Sequence, residues 1–481
     1  MSLHIYPVPV GETLSSAFTV SFDGQSAPVH TATVSAIPFN RRWPGHQRSI
    51  DQAEEAYFAA CSADGPIAVT VSPARSFESA VIRPLSARVT PERDSQVLRF
   101  TLPGPGFYTL ELDGIHNALH LFIDPPETRK PRPGNEVIRF ESGIHEIGTL
   151  HLHSNQSVYL AEGALVYGSI HAENVDQIEI LGRGILDNSH NVETILFQPE
   201  KLGTGETEVS NYIREHTVKL VNCHDICIDG ITIRDSLMYN VATYGCSALT
   251  VEDIKIIGCW RYNSDGVDLH DTSHARISNC FIRTFDDSIC VKAHKGTGIC
   301  EDILAERCVV WCDWNHSLEI GAETCADEMR HIRFTNCDVI HSTGVVFSIH
   351  NVHHGHVHHV LYDNIRVEYD ERAPYPQLQP DDEASFRMYP DDHLPYLINL
   401  VIQNHHEYSG QTKRGRISDI AFQNIQVTAR AMPPVNFTGY DADHKVSHVR
   451  ISGLSLNGMP IQTSEALAAQ QNVFCEDIEI V

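Results

Sequence analysis

Three aspartates are the residues best placed to do chemistry in this chain of 481 residues: Asp265, Asp286 and Asp287. Asp265 precedes Asp286 by 21 residues. In a coiled chain whose turns have about that length, residues one turn apart lie above one another, so the three carboxylates would meet on one patch of surface. Hydrolysis of a glycosidic bond uses such a set: a protonated carboxyl donates to the departing oxygen and a carboxylate activates water, roughly 6.5–9.5 Å away when the reaction inverts.

A repeat in the surrounding sequence predicts such coils. Alternating apolar residues, followed most often by Asn or Gly, recur along the C-terminal two thirds. From residue 226 to residue 360, and again from 420 to 449, successive repeats start 21 to 29 residues apart. This period indicates a solenoid, and the alternation with β-branched side chains predicts strands. Asn and Gly suit left-handed corners between strands. The repeats are Ile178/Ile180/Gly182, Ile226/Ile228/Gly230, Ile254/Ile256/Gly258, Ala275/Ile277/Asn279, Ile303/Ala305/Arg307, Ile332/Phe334/Asn336, Val360/Tyr362/Asn364, Ile420/Phe422/Asn424 and Val449/Ile451/Gly453.

We therefore predict an all-β chain with a right-handed parallel β-helix over residues 137–481. Residues 1–123 contain β-rich segments separated by turn residues, and they predict a smaller N-terminal β-sandwich. A Pro-rich linker, residues 124–136, separates the two. The repeat breaks over about residues 368–416, where five prolines indicate a long insertion that would form a wall beside the helix.

The thirteen cysteines indicate buried thiols rather than a disulfide framework, since their number is odd and many follow corner asparagines, as in Asn222-Cys223, Asn279-Cys280 and Asn336-Cys337. No N-terminal export signal and no membrane-spanning apolar run is apparent, which predicts a cytoplasmic protein unless a signal has been removed.

The charge pattern narrows the range of partners. The net charge of −27, from 35 basic and 62 acidic residues, argues against nucleic acid. It argues only weakly against an anionic sugar polymer, because a local cluster of cations can override the global field. A run of histidines, from His350 to His359, would split between the two faces of a strand, so we expect no metal site and no cofactor. The oligomeric state is left open.

Three short sequence motifs resemble the signature of glycoside hydrolase family 28, the polygalacturonases. They are Asn263-Ser264-Asp265-Gly266, Asp286-Asp287-Ser288 and Asn315-His316-Ser317-Leu318-Glu319-Ile320-Gly321. The family pattern is Asn-Thr-Asp-Gly, Gly-Asp-Asp, and Gly-His-Gly followed by an apolar-Ser-Ile-Gly tail. The resemblance covers the predicted β-helix and is clearest from about residue 226 to residue 365.

The resemblance implies roles for individual residues. Asp286 would be the general acid, and Asp265 and Asp287 would hold and deprotonate the water. His316 would be a hydrogen-bonding partner that orients and tunes the acid carboxyl. Asn263 would position Asp265 or a sugar hydroxyl. Because Asp286 and Asp287 are adjacent, a corner or bulge is needed to present both side chains.

The sequence departs from the family at the motif with which polygalacturonases bind uronic acid. Polygalacturonases carry Arg-Ile-Lys after the histidine motif, whereas the corresponding segment here, residues 343–350, contains no Arg or Lys. A uronate carboxylate buried there would lack a cation, which is costly. Lys292, Lys295 or His350 could replace it. Lys292, His294, Glu319 and His350, with Asn263, are the candidate substrate-binding residues.

A second resemblance points to another sugar. The predicted order of sandwich, linker and helix, with Gly143-Ile144-His145-Glu146-Ile147 and Gly182-Arg183-Gly184-Ile185-Leu186, is similar to the dextranase and isopullulanase family, glycoside hydrolase family 49. That family shares the β-helix and the aspartate trio but cleaves neutral α-glucans. The two resemblances imply the same chemistry on different sugars.

We thus expect an inverting glycoside hydrolase acting on pectic or related oligo- or polysaccharides, with a neutral α-glucan hydrolase as the alternative. A hypothesis of another class is a carbohydrate-binding β-helix without turnover, which predicts a groove rich in exposed aromatic residues. A lyase is less consistent with the sequence, since lyases of this fold typically use calcium and an Arg or Lys base.

Overall fold

The N-terminal part of the chain forms two facing sheets. A computed structural model describes residues 2–36, 39–41, 53–190, 216–261, 263–370, 377–379, 387–388, 394–405, 409 and 413–481. The first sheet contains Leu3–Ile5, His30–Ser35, Ala53–Ala63, Ala80–Arg83, Gly106–Leu112 and Leu119–Asp124. The second contains Phe18–Phe22, Gln25–Ala27, Ile67–Pro73, Glu92–Asp94 and Val97–Leu102. Apolar side chains from both sheets pack into one core, which confirms the predicted β-sandwich.

The rest of the described chain is a right-handed parallel β-helix, as predicted. Its strands pair with the next coil in two long sheets, which we call the outer sheet and the site sheet. The outer sheet consists of Glu136–Phe140, Gln156–Leu160, Asp176–Gly182, His224–Asp229, Ser247–Glu252, Ser273–Ser278, Ile299–Glu306, Glu328–Thr335, His356–Asp363, Arg416–Gln423, Val446–Ser452 and Cys475–Ile480.

The site sheet is divided into shorter strands that follow the corners of each coil. These are Gly143–Leu152, Ala164–Glu173, Ile185–Asp187, Val218–Val221, Thr232–Arg234, Val241–Tyr244, Lys255–Ile257, Val267–His270, Phe281–Thr284, Ile289–Ala293, Val309–Cys312, His316–Thr324, Asp338–Ser342, Val345–Asn351, Arg366–Glu368, Tyr396–Ile402, Gln426–Thr428, Val435–Thr438, Ser455–Leu456, Met459–Pro460 and Gln470–Gln471. One short α-helix, Ser464–Leu467, and a 3-10 turn, Leu85–Ala87, occur among the described residues.

The corner asparagines have the predicted left-handed backbone. Asn222, Asn279, Asn336, Asn364 and Asn424 all have φ between 50° and 57°. Their side chains bond from coil to coil, as where the Nδ2 of Asn364 donates to the Oδ1 of Asn336 at 2.7 Å. Each corner thus has a residue that tolerates the αL conformation, and its side-chain amide forms a hydrogen bond with the asparagine of the neighbouring coil.

One of the predicted repeats, Ile254/Ile256/Gly258, lies in a different sheet from the other eight. Leu249, rather than Ile254, occupies the place between Ile226 and Ala275 in the outer sheet. Ile256 lies in Lys255–Ile257 of the site sheet. Both sheets direct alternate β-branched residues into the same core, so the apolar pattern alone cannot tell one sheet from the other.

Apolar rings and ion pairs join the sandwich to the helix. Phe122 of the sandwich packs against Phe281 of the helix, with ring centroids 5.1 Å apart. The Nζ of buried Lys255 donates to Asp124 at 2.9 Å. Trp311 is buried in this same cluster, which makes it a packing residue rather than a sugar platform.

The predicted insertion is not continuous. Tyr396–Ile402 belongs to the site sheet, where it pairs with Val345–Asn351 and Val435–Thr438. A small sheet joins Gln377–Gln379 to Arg387–Met388 and to Phe39–Arg41 of the N-terminal part. The predicted wall, with Pro374, Pro376, Pro380 and Pro390, lies outside the described residues.

Linker residues 125–135 carry no strand and connect Leu119–Asp124 to Glu136–Phe140. All thirteen cysteines are free thiols, and twelve of them are buried. No helix among the described residues is long and apolar enough to cross a membrane.

Candidate active site

Three successive coils of the site sheet align Asp265, Asp287 and His316 in one column. The register that pairs Val267 with Ile289, and Ile289 with Leu318, places these three residues above one another. Each lies just before, or at the start of, a strand. Asp286 and Asp287 occupy the turn between Phe281–Thr284 and Ile289–Ala293, so both side chains can leave the core, as the sequence required.

The three carboxylates do converge. Oxygen atoms of Asp265, Asp286 and Asp287 lie within 4.8 Å of one another, and all three residues are buried. This is closer than the separation of roughly 6.5–9.5 Å that is typical of inverting enzymes. At such distances the like charges interact strongly, and the three groups cannot all be ionised without a cation.

Asp286 is held by amide donors. The Nδ2 of Asn315 donates to its Oδ1 at 2.8 Å, and the backbone N–H of Asn263 donates to its Oδ2 at 3.2 Å. Burial and the neighbouring Asp287 raise the pKa of Asp286 to about 6. A carboxyl with this pKa keeps its proton in mildly acidic solution, as a general acid must.

We expected His316 to contact the acid, Asp286, but it contacts Asp287 instead. Its Nδ1 lies 2.9 Å from the Oδ1 of Asp287 and 2.8 Å from the Oε2 of Glu319. Although burial opposes ionisation of Asp287, Lys292 and His316 hold its pKa well below the usual range. The same two carboxylates raise the pKa of His316 to about 10 despite its burial. Asp287 is therefore the ionised member of the trio.

Lys292 occupies the centre of the site. Its Nζ lies 3.2 Å from Asp265, 2.9 Å from Asp268 and 3.2 Å from Asp287. The side chain is buried, and these carboxylates raise the pKa of Lys292 well above its ordinary value even though burial works against the charge. The expected role of Lys292 in binding a sugar carboxylate does not fit this arrangement, because three protein carboxylates already surround the ammonium.

Asp265 has a different environment from Asp287. Burial, with Asp268 next, raises the pKa of Asp265 well above its ordinary value. Its Oδ1 is buried and has no hydrogen-bond partner among the described residues. That oxygen is available to a water molecule or a sugar hydroxyl.

The remaining predicted substrate residues flank the trio. The Nε2 of His350 accepts from the Nε2 of Gln403 at 2.6 Å, and burial lowers the pKa of His350 to about 3, so this imidazole is neutral. His294 is exposed, and its ring lies 2.8 Å from that of His270. His350 sits one coil after Gly321, on the C-terminal side of the trio.

Asp268, Asn315 and Tyr239 were not predicted. Asp268 lies between the core residues Val267 and Leu269 and therefore faces out of its strand, so the alternation just after Gly266 carried the signal. Tyr239 lies beneath Lys292, with the Nζ 5.3 Å from the ring centroid. The local sequence gives no signal for that contact, because the coil-to-coil register determines it.

Of the three groups of described side chains that offer donors for a metal ion, two lie in this site: Asp265, Asp286 and Asp287, and Asp287, His316 and Glu319. In both groups Asp287 already faces cationic partners, the Lys292 ammonium and His316. The donor sets are thus neutralised by the protein's own side chains.

The parallel β-helix and the converging trio of aspartates are the two features that the sequence led us to expect. By sequence, residues 137–373 match the model of Glycosyl hydrolases family 28. This match confirms the resemblance noted from the three sequence motifs.

Individual relatives add a second family. A dextranase from Arthrobacter globiformis is 24% identical over 260 residues, which are 49% of this chain and 36% of the dextranase. The chain thus spans little more than a third of that relative's length. Among solved structures, Dex49A from Penicillium minioluteum has a TM-score of 0.69 at 14% identity, covering 99% of this chain and 96% of that one. The exopolygalacturonase from Thermotoga maritima has a TM-score of 0.51 at 15% identity, covering 71% and 82%.

Proposed function

We propose that the chain is an inverting hydrolase that cleaves glycosidic bonds in neutral α-glucan oligo- or polysaccharides. The observation that carries this choice is the engagement of Lys292 by Asp265, Asp268 and Asp287. Lys292, one of the three residues that the sequence offered as a partner for a sugar carboxylate, is thus neutralised by the protein. The dextranase relatives support the same choice of substrate.

The proposed reaction uses one protonated carboxyl group and one ionised carboxylate. Asp286, whose pKa is about 6, donates its proton to the glycosidic oxygen as the bond between that oxygen and the anomeric carbon breaks. A water molecule attacks the anomeric carbon, and Asp287 accepts its proton. Asp265 holds that water through its unpartnered Oδ1. The products are a shortened glycan and a free reducing end. We propose inversion from the resemblance to family 28 and not from the carboxylate spacing, which is shorter than inverting enzymes typically have.

The C-terminal side of the trio offers neutral polar groups. Ser348, Asn399 and Asn436 follow Glu319 in one outward-facing column of the site sheet. The Nδ2 of Asn436 donates to the Oδ1 of Asn399 at 2.8 Å. Together with the neutral ring of His350, these amides and hydroxyls match the hydroxyl groups of an uncharged sugar and offer a carboxylate no counter-charge.

A pectic substrate is the second candidate, and Arg261 favours it. This half-buried guanidinium stacks on Trp260, 4.5 Å from the ring centroid, and pairs with no carboxylate among the described residues. It lies two residues before Asn263, whose backbone bonds Asp286. An unpaired arginine close to the acid is a suitable partner for a uronate.

A substrate panel with an Arg261→Gln variant separates the candidates. We expect reducing-sugar release from dextran or related α-glucans, unchanged within about twofold in the variant, because a neutral sugar forms no ion pair. Proton NMR of the first product formed would show the inverted anomer. If polygalacturonate is cleaved instead, and Arg261→Gln raises its KM about tenfold or more, the pectic reading replaces ours.

The pH dependence of kcat/KM is a further prediction. Activity should fall as the pH rises above about 6, because Asp286 then loses the proton that it must donate. The acidic limb should lie below the usual carboxyl range, since the pKa of Asp287 is depressed. Asn315→Ala removes the hydrogen bond that favours ionised Asp286, so its basic limb should move to higher pH. A basic limb that Asn315→Ala leaves unmoved would exclude Asp286 as the titrating acid.

A further inference from the structure

Glu319 is a buried carboxylate that the proposed reaction does not use. It stands in Leu318-Glu319-Ile320-Gly321, where the family 28 pattern has Ser in its apolar-Ser-Ile-Gly tail. The register places it one coil beyond Cys290 and one coil before Ser348, so it faces out of the site sheet on the same side as the trio. A charged group is placed there at a desolvation cost, which requires compensation by a partner.

The partner is His316. The Oε2 of Glu319 lies 2.8 Å from the Nδ1 of His316, on the nitrogen that also faces Asp287. The other contacts of Glu319 are weaker: the Ser348 hydroxyl donates to its Oε1 at 3.4 Å, and the Cys290 thiol lies 3.7 Å from its Oε2. The Nδ1 of His316 therefore faces both the Asp287 and the Glu319 side chains.

The second ring nitrogen of His316 points elsewhere. Its Nε2 has no hydrogen-bond partner among the described residues, and the side chain is 16% exposed while Glu319 is only 1% exposed. With Nδ1 committed to the carboxylates, the N–H at Nε2 is the donor of this partly exposed ring that is left for a ligand beside the trio.

We propose that Glu319 is a positioning residue that keeps His316 doubly protonated and fixed in orientation, so that Nε2–H donates a hydrogen bond to the bound sugar. This role rests on the proposed function. A single carboxylate, Asp287, would have to hold the imidazolium and also accept a proton from water, whereas a second acidic side chain on Nδ1 keeps the ring in place while Asp287 takes that proton. Burial and the neighbouring Asp287 raise the pKa of Glu319 itself to about 7, so Glu319 is ionised where His316, with a pKa of about 10, titrates. Lys292, close to Asp287, and His350, in the next coil, are the other titratable groups facing this pair.

The experiment compares Glu319→Gln with wild type, and uses Glu301→Gln as the matched control. Glu301 is a glutamate of the outer sheet that pairs with Arg330, away from the groove. In ¹³C-histidine-labelled protein without substrate, the His316 signal is assigned by its absence from His316→Gln. We expect Glu319→Gln to lower the pKa of His316 by about 1 to 3 pH units and kcat/KM by roughly tenfold or more, with no change in the control.

A conservative variant distinguishes charge from packing. Glu319→Asp keeps the carboxylate, so it should restore part of the His316 titration and part of the activity, which loss of packing alone would not do. An unchanged His316 titration in Glu319→Gln overturns the proposal. If wild type hydrolyses no glycan, the proposed function fails, yet the NMR titration still tests Glu319. If Glu319→Gln does not fold, the NMR titration of His316 in Glu319→Asp tests the proposal: a pKa of His316 that is unchanged from wild type would contradict it.

Discussion

Asp286→Asn is expected to lower kcat on the chain's glycan substrate by about 10²- to 10⁴-fold, the range that a general acid contributes. The amide keeps the shape of the side chain, and its one oxygen can still accept from Asn315, while its NH2 group replaces the oxygen that faces the backbone N–H of Asn263. It cannot donate a proton to the departing oxygen. KM should change little, because the substituted atom acts on the leaving group in the transition state. Initial rates of reducing-sugar release measure the loss.

Asp302→Asn is the matched control. Asp302 lies in Ile299–Glu306 of the outer sheet and has φ of 58°, a conformation that asparagine adopts readily. The control should retain full activity and the same melting temperature. A substrate whose leaving group needs no proton, such as a dinitrophenyl glycoside, should be cleaved by Asp286→Asn far better than the natural glycan. Equal loss on both substrates would contradict the role of Asp286 as the acid.

The fold could be predicted because its determinants are local. Alternating Ile and Val residues predict strands, and Asn279 or Asn336 marks a corner whose φ only a few residue types tolerate. The aspartate trio could be predicted for a related reason: strands of one coil stack on the next, so a spacing close to one turn places Asp265 under Asp287.

The partners of the trio could not be predicted in the same way. His316 is aligned with Asp287 rather than with Asp286 because of a difference of one residue in register, and no pattern of side chains in the sequence fixes that residue. Lys292 has the correct parity to face the groove, but parity does not reveal that three acidic side chains surround it. The balance of charges within the site thus depends on contacts between successive coils, which the sequence alone does not reveal.

That balance leads to a strong prediction for Lys292→Met. Methionine matches the length of the lysine chain but leaves Asp265, Asp268 and Asp287 buried without their shared cation. Breaking a buried ion pair in this way costs roughly 3–5 kcal/mol of unfolding free energy. Activity should also be lost, because Asp287 will bind a proton and cease to act as a base. Urea denaturation and initial rates measure the two effects.

The loss of stability in Lys292→Met should depend on pH with a definite sign. Burial already raises the pKa of Asp268 to about 7, and removal of the ammonium raises it further. A carboxyl whose pKa is higher in the folded than in the unfolded protein binds more protons when folded. Its contribution to stability is present below the unfolded value, about 4, and is lost as the pH rises through the folded value. Lys292→Met should therefore differ more from wild type at pH 8 than at pH 5.

A double variant tests whether charge is the cause. Lys292→Met/Asp268→Asn removes one uncompensated carboxylate that has no role in the proposed reaction, so it should recover part of the stability at pH 8 and little at pH 5. Recovery of the same size at both pH values would mean that packing, rather than charge, determines the effect of Lys292. Activity should not return in the double variant, since Asp265 and Asp287 still share no cation. Lys292 thus allows buried carboxylates to exist in two protonation states side by side, which acid and base chemistry at one site requires.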